Sequence, residues 1–441
     1  MSKVQPGSTN DLRIETRYFL IVLVLLVTNL VSLSTFLNSI SVFRYLRQPA
    51  LVLAFIALWV FFPPQKPKKG FGLLVYLYFF FCLYLAFNTI TSIDPGNSAI
   101  YSVWMLGFFF FFYQLYVVRN SLNFKSILFQ FATAVGITGG IFIISSYVGG
   151  YGLGIDDFFD ERYNYTLMRM TTEFAGIFGS NNFMGLITYL TVIFLLILFE
   201  LTRTRPWAFW FLLGAAFHTG LLFFIGNRAS MASAVASWAL YILWVYRSLA
   251  GTLIFAGILV FGFTIFQEVL MPKLRLEQFE GGNILGNRSE LIGEALTVVE
   301  EMDFFGVGYH NQKLSRKHFD LVAESDKEYN FHNTYLAIFT ELGYFGFLWI
   351  PFSILIFLFT PSLHPKDPVD ARLIRLLKSS LLVMILFYLP VEDSVNSPGS
   401  PSFIIFWSMF FILGIGLFEK PTPSESKTHE EEKNSLSQHT V

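Results

Sequence analysis

The sequence predicts an all-α, polytopic integral membrane protein of about 12 transmembrane helices, with one large helical loop on the non-cytoplasmic side. Three observations lead there. Of 441 residues, 54% are hydrophobic and only 14% are charged, where a soluble domain carries about 25% charged residues. Those charges are bunched, and the apolar runs between them approach the roughly 20 residues a helix needs to cross hydrocarbon. The single cysteine, Cys82, sits inside such a run, which excludes an internal disulfide or a thiolate metal cluster within one chain. A net charge of −1 provides no basic surface and speaks against a nucleic-acid partner.

Residues 1–17 form a polar, cytoplasmic N-terminus. It leads into an apolar run too long for a signal-peptide core and lacking a small-residue cleavage site, so the first span is read as uncleaved. Apolar runs near 18–40, 49–63, 71–90, 99–118, 126–148, 181–200, 207–226, 229–246 and 250–270 supply transmembrane helices over 18–270. Runs at 334–359, 376–391 and 402–418 supply the rest, over 334–418. Between the two groups lies the large loop, 271–333. The tail, 419–441, is rich in Pro, Ser, Lys and Glu; its low apolar content predicts disorder.

Orientation follows from Lys and Arg near the membrane. With the N-terminus inside, the basic clusters at Lys66–Lys69, Arg203–Arg205 and Lys366–Lys378 are cytoplasmic. Short opposite loops hold Arg44, Arg47, Arg162, Arg169 and Arg228. Loop 271–333 and the connection 149–173 then face outward. Within the large loop, Leu291, Ile292, Ala295, Leu296 and Val299 recur at helical spacing, and Asn287 is placed to cap them. Phe304 and Phe305 extend the apolar face until Gly306-Val307-Gly308 breaks it. Such a helix lies across the mouth of the bundle with its apolar side inward.

Several residues on the outer side bear chemistry. Arg228, in Gly226-Asn227-Arg228-Ala229-Ser230, is wedged between two apolar runs. A guanidinium at membrane depth costs about 3 kcal/mol on insertion scales. It either meets an anion or a water-filled cavity, or it snorkels to the interface or pairs with a structural carboxylate. Arg288 heads the loop helix, where free N–H groups and a guanidinium together suit a phosphate; the plainer reading is a solvated surface arginine. His332-Asn333 stands where the loop re-enters the membrane. The imidazole there is either a proton acceptor for a sugar hydroxyl or an interfacial cap. Glu341 lies deeper in the same span, able to orient helices or to neutralise an arginine. The sequence has no glycine-rich phosphate loop, no His or Cys cluster and no Asp-x-Asp pair; Asp156 and Asp157 are adjacent. A site without metal or cofactor is favoured, and nucleotide-dependent chemistry is disfavoured because the candidates face away from the cytoplasm.

Together these motifs resemble the O-antigen ligase and polymerase superfamily of membrane glycosyltransferases. Gly226-Asn227-Arg228-Ala229-Ser230 is similar to that family's arginine motif. Arg288, Leu291, Ala295 and Gly306-Val307-Gly308 resemble its long periplasmic loop, and His332-Asn333 with Tyr335, Glu341 and Gly343 resembles its closing His-Asn motif. Gly176-Ile177-Phe178-Gly179-Ser180-Asn181-Asn182-Phe183-Met184-Gly185 is similar to a further family segment, with Asn181 where the family has Pro and Arg169 as the nearest preceding arginine. The match spans about residues 165–345.

The resemblance implies a GT-C-like glycosyltransferase in the bacterial inner membrane, working at the periplasmic face in lipopolysaccharide biosynthesis. Its donor would be a glycan on undecaprenyl diphosphate, gripped by Arg228 and Arg288. His332 would be the base, with Asn333, Glu341, Asn182 and Arg169 in support. The acceptor would be lipid A–core oligosaccharide for a ligase, a growing glycan for a polymerase, or a protein hydroxyl for a third relative. The rival of another class is a flippase or transporter, which would carry internal repeats and more buried charge.

Overall fold

The structure, a computed structural model, describes residues 9–33, 73–117, 123–152, 159–160, 173–174, 181–225, 227–246, 288–321, 331–360, 368–390 and 400–418, with isolated helical positions at 52–53, 56–57, 60, 253 and 257. The expected spans at 49–63 and 250–270 therefore lie largely outside the described residues. Asn287, Arg169 and the tail 419–441 lie wholly outside them.

Among the described residues twelve α-helices follow one another. The first are α1 (Thr9–Leu33), α2 (Leu73–Ile90), α3 (Pro95–Val117) and α4 (Phe124–Gly152). Then come α5 (Asn181–Thr202), α6 (Phe209–Ile225) and α7 (Arg228–Leu240). The segment read as the outer loop contributes α8 (Arg288–Glu301) and α9 (Gln312–His318), and α10 (Thr334–Phe359), α11 (Pro368–Val383) and α12 (Pro401–Phe418) close the chain. α7 and α11 run on into single π-helical turns, Tyr241–Tyr246 and Met384–Tyr388. The all-helical expectation is borne out, with one small addition: Phe159–Asp160 pairs antiparallel with Glu173–Phe174. These helices are not one-for-one the spans expected, because α8 and α9 belong to the loop. Two stretches of the described residues, Phe124–Ile141 and Asn182–Thr202, are long and apolar enough to cross a membrane by length and composition.

Local chemistry explains the boundaries. α3, α11 and α12 each begin at a proline, whose missing N–H is one that no helix start can satisfy internally. Pro368 thus starts α11 ahead of the expected 376, and Arg372 and Arg375 fall inside the helix. Thr138, Thr188 and Thr191 within their helices, and Thr202 at the end of α5, return their hydroxyls to the carbonyl four residues back, which satisfies a polar group on an apolar face. Aromatic packing joins α3 to α12, where Phe112 and Phe411 stack with centroids 4.4 Å apart. At the far end of α5 the buried Glu200 accepts the Tyr241 hydroxyl at 2.6 Å and Arg372 Nε at 3.0 Å, locking α5 to the turn after α7 and to α11.

α10 departs from the single continuous span expected over 334–359. Its backbone is broken at Gly343, which has φ 62° and ψ −163°. The turn after α8 fills the break. Val307 donates to the Thr340 carbonyl at 2.8 Å, Gly308 to Glu341 at 3.0 Å, and Tyr344 back to Phe304 at 3.2 Å. Tyr84 on α2 donates to the Leu342 carbonyl at 2.5 Å. Phe304 and Phe305 consequently do not prolong the apolar stripe of α8, which ends at Glu301. Gly306 and Gly308, with φ of 79° and 100°, turn the chain so that it lies against the break in α10 on its way to α9.

A side chain at Gly343 would run into the Phe304 carbonyl and occupy a backbone region that is essentially glycine's alone. Gly343→Ala is expected to cost about 1–3 kcal/mol from the backbone term. The measurement is thermal unfolding of purified protein in detergent; an unmoved midpoint would refute the break.

Candidate functional site

Arg228 is the first residue of α7, and the structure describes its backbone but not its side chain. Its setting is well defined. Asn227 caps the helix, its Oδ1 accepting the Ser230 N–H at 2.7 Å, while its Nδ2 donates to Asn182 Oδ1 at 2.8 Å. Asn227 is buried. The close approach depends on Gly185: a Cβ there would stand 2.6 Å from Asn227 Cβ and 2.9 Å from Ser230 Oγ. Two motifs some forty residues apart are thus one junction, with Asn182 on α5 tied to the head of α7.

His332 occupies a left-handed backbone position, φ 49°, and is half-buried. Its neighbours are pinned on both sides. Phe331 donates its N–H to Gln312 Oε1 at 3.2 Å. Asn333 caps α10, accepting the Leu336 N–H at 3.0 Å, and Thr334 donates to the Leu389 carbonyl at 2.8 Å. The Asn333 side chain thus caps the start of α10. From Leu389 the contact continues through Tyr388, stacked on Tyr189 of α5 with centroids 6.4 Å apart. Tyr189 in turn shares a hydrogen bond with Ser237 of α7 at 3.3 Å. A line of contacts thus runs from the His332 turn through Leu389, Tyr388 and Tyr189 to Ser237 in the second half of α7.

Arg288 is the first residue of α8, again described in backbone only. The buried stripe of α8 is Ala295 and Val298, packed with Phe331 and Val307. Leu296, expected on the inner face, is 47% exposed: the face turns because Phe331 and Leu336 approach on the Ala295–Val298 side. Glu341 is buried, and its carbonyl accepts from Gly308 and from Asn88 Nδ2. Arg169 lies outside the described residues.

Sequence reading missed a set of amides and hydroxyls that fastens this segment to the α2–α3 hairpin. Asn88 donates to the Phe305 carbonyl at 2.7 Å and accepts the Tyr309 N–H at 2.8 Å. Asn311 donates to Ser92 Oγ at 2.7 Å and Ser98 Oγ at 3.1 Å, and accepts from Asn97 at 2.7 Å. Asn88, Ser98 and Asn311 are fully buried. The signal was present in part: a lone amide near the end of the apolar run 71–90 is expensive unless it is bonded.

These features define a helical protein whose segment 288–321 is built into the bundle, with an arginine heading each of two helices and a histidine turn between packed elements. Residues 213–350 match the model of a family described as O-antigen ligase. Over these residues the chain is similar to the O-antigen ligase family, whose membrane character the apolar helices fit. The match covers somewhat under a third of the chain, from within α6 to within α10, and leaves out Asn182. No curated protein and no solved structure matches.

Gly185→Ala is expected to force the Asn182–Asn227 junction apart, at about 1–3 kcal/mol for overpacking. Transfer activity should fall together with the unfolding midpoint in detergent. Full activity and an unchanged midpoint would show that the approach of α5 to α7 is not tight.

Proposed function

We propose that this protein transfers a preassembled glycan from undecaprenyl diphosphate to lipid A–core oligosaccharide, as an inverting ligase that calls on no metal. It would act as a multi-pass inner-membrane protein with its site toward the periplasm. One observation carries the reading: the O-antigen ligase match contains Arg228, Arg288 and His332 together. Two supports stand beside it. Each arginine opens a helix, where free N–H groups add to the guanidinium charge. The segment carrying Asn182, outside the match, is bonded to the residue preceding Arg228.

The chemistry follows from these residue types. Guanidinium groups are permanently charged and bind phosphate oxygens in pairs. In this reading His332 takes the proton from the acceptor hydroxyl. The acceptor oxygen attacks the anomeric carbon from the face opposite the diphosphate, which inverts that centre. The old C–O bond breaks, and its electron pair leaves with undecaprenyl diphosphate. Negative charge on the leaving diphosphate grows along the path, so fixed cations stabilise the transition state more than the bound donor.

Arg228→Ala and His332→Ala should each lower transfer by about 100-fold or more while membrane insertion is retained. The assay supplies purified protein with one lipid-linked donor and competing acceptors. Product size separates a ligated core from a lengthened polymer, which would make the protein a polymerase, and from a modified protein. Robust transfer by both variants would end the catalytic assignment. Unreacted donor moved across the bilayer would instead indicate a flippase.

A further inference from the structure

α9 plays no part in the expected site, yet it and the residue ahead of it are bonded to three surrounding parts of the chain. Arg316 donates Nε to Glu294 Oε2 at 2.6 Å and Nη2 to Glu294 Oε1 at 3.0 Å, a two-point pair with α8. Gln312 Oε1 holds the N–H of Phe331, the residue before His332. Asn311, immediately ahead of α9, is bonded into the α2–α3 hairpin through Ser92 and Ser98. Arg316 is 5% exposed and Gln312 4%.

A planar guanidinium held at two nitrogens by one carboxylate fixes orientation as well as distance; an ammonium does not. Such a pair, taken out of water, adds little net stability. Arg316 Nη1 is also buried with no partner among the described residues, which raises the cost further. What the pair does supply is the rotation and height of α8. Glu294 and Arg288 sit on one helix of fixed rise and turn, so any slip at Glu294 displaces Arg288 by the same amount. Gln312, one turn away from Arg316 on α9, sets the His332 turn in the same frame.

We propose that Arg316 and Gln312 are positioning residues: α9 sets the placement of Arg288 relative to His332. The proposal rests on the reading of those two residues as diphosphate ligand and base. The test measures kcat and KM per folded molecule for the full chain in detergent, with an undecaprenyl diphosphate-linked glycan donor and lipid A–core acceptor. Arg316→Lys should lower kcat about 10–100-fold, the scale of an ångström-sized misplacement, with KM and unfolding midpoint little changed. The charge swap Glu294→Arg with Arg316→Glu should recover most of that loss. In an Arg288→Lys background, Arg316→Lys should add far less than it does alone, because both act through one guanidinium. Unchanged kcat per folded molecule in Arg316→Lys overturns the proposal, as does full additivity with Arg288→Lys. If Arg316 variants do not fold, Gln312→Met decides by the same kcat criterion. Arg288→Ala separates the two levels: retained transfer sinks the diphosphate reading itself, whereas lost transfer beside an inert Arg316→Lys sinks only the role of α9.

Discussion

The interruption of α10 at Gly343 is the constraint on which the rest of the structure depends. Backbone carbonyls released inside an apolar bundle need partners from the protein, because hydrocarbon provides none. The carbonyls of Thr340, Glu341 and Leu342 find them in Val307, Gly308, Asn88 and Tyr84. Those donors come from α2 and from the turn after α8. Lifting the turn after α8 away would strip the Thr340 carbonyl of its donor and Glu341 of one of two, so the turn is a built-in part of the bundle. The conformations of Gly306, Gly308 and Gly343 are the backbone condition for this interlock.

The two ends of α5 are held by different physics. At its start a neutral amide pair, Asn182 and Asn227, joins α5 to α7 across a gap that only a glycine at 185 permits. At its other end Glu200, Tyr241 and Arg372 form a charged lock. The amide pair holds geometry without adding a charge of its own to the junction, which fits the anion-binding role proposed for Arg228. Midway, Tyr189 couples α5 both to the π-helical turn after α11 and to Ser237 in the second half of α7.

Much of the architecture was legible because apolar runs and prolines act locally. The run expected at 71–90 is α2, and the run at 402–418 is α12, one residue from its start. The motifs around Arg228, Arg288 and His332 were legible too, since arginine between apolar runs and His-Asn at a loop end are conspicuous by cost. The junctions were not. Asn88, Asn311, Gln312 and Arg316 look like ordinary polar residues in a sequence, and their meaning lies in partners as distant as 221 positions along the chain. Leu296 misled for a related reason: periodicity defines an apolar stripe, but the neighbours decide which edge of it is covered.

By itself, then, the sequence determined a helical, membrane-type chain and the residue types able to bind a diphosphate and accept a proton, because burial cost and hydrogen-bonding capacity belong to side chains before any fold exists. Tertiary structure alone decided that α10 is broken, that the turn after α8 completes it, and that Asn182 meets Asn227. Those outcomes depend on satisfying backbone and amide groups between distant segments. No local pattern encodes such pairing; it is settled only when the whole bundle closes.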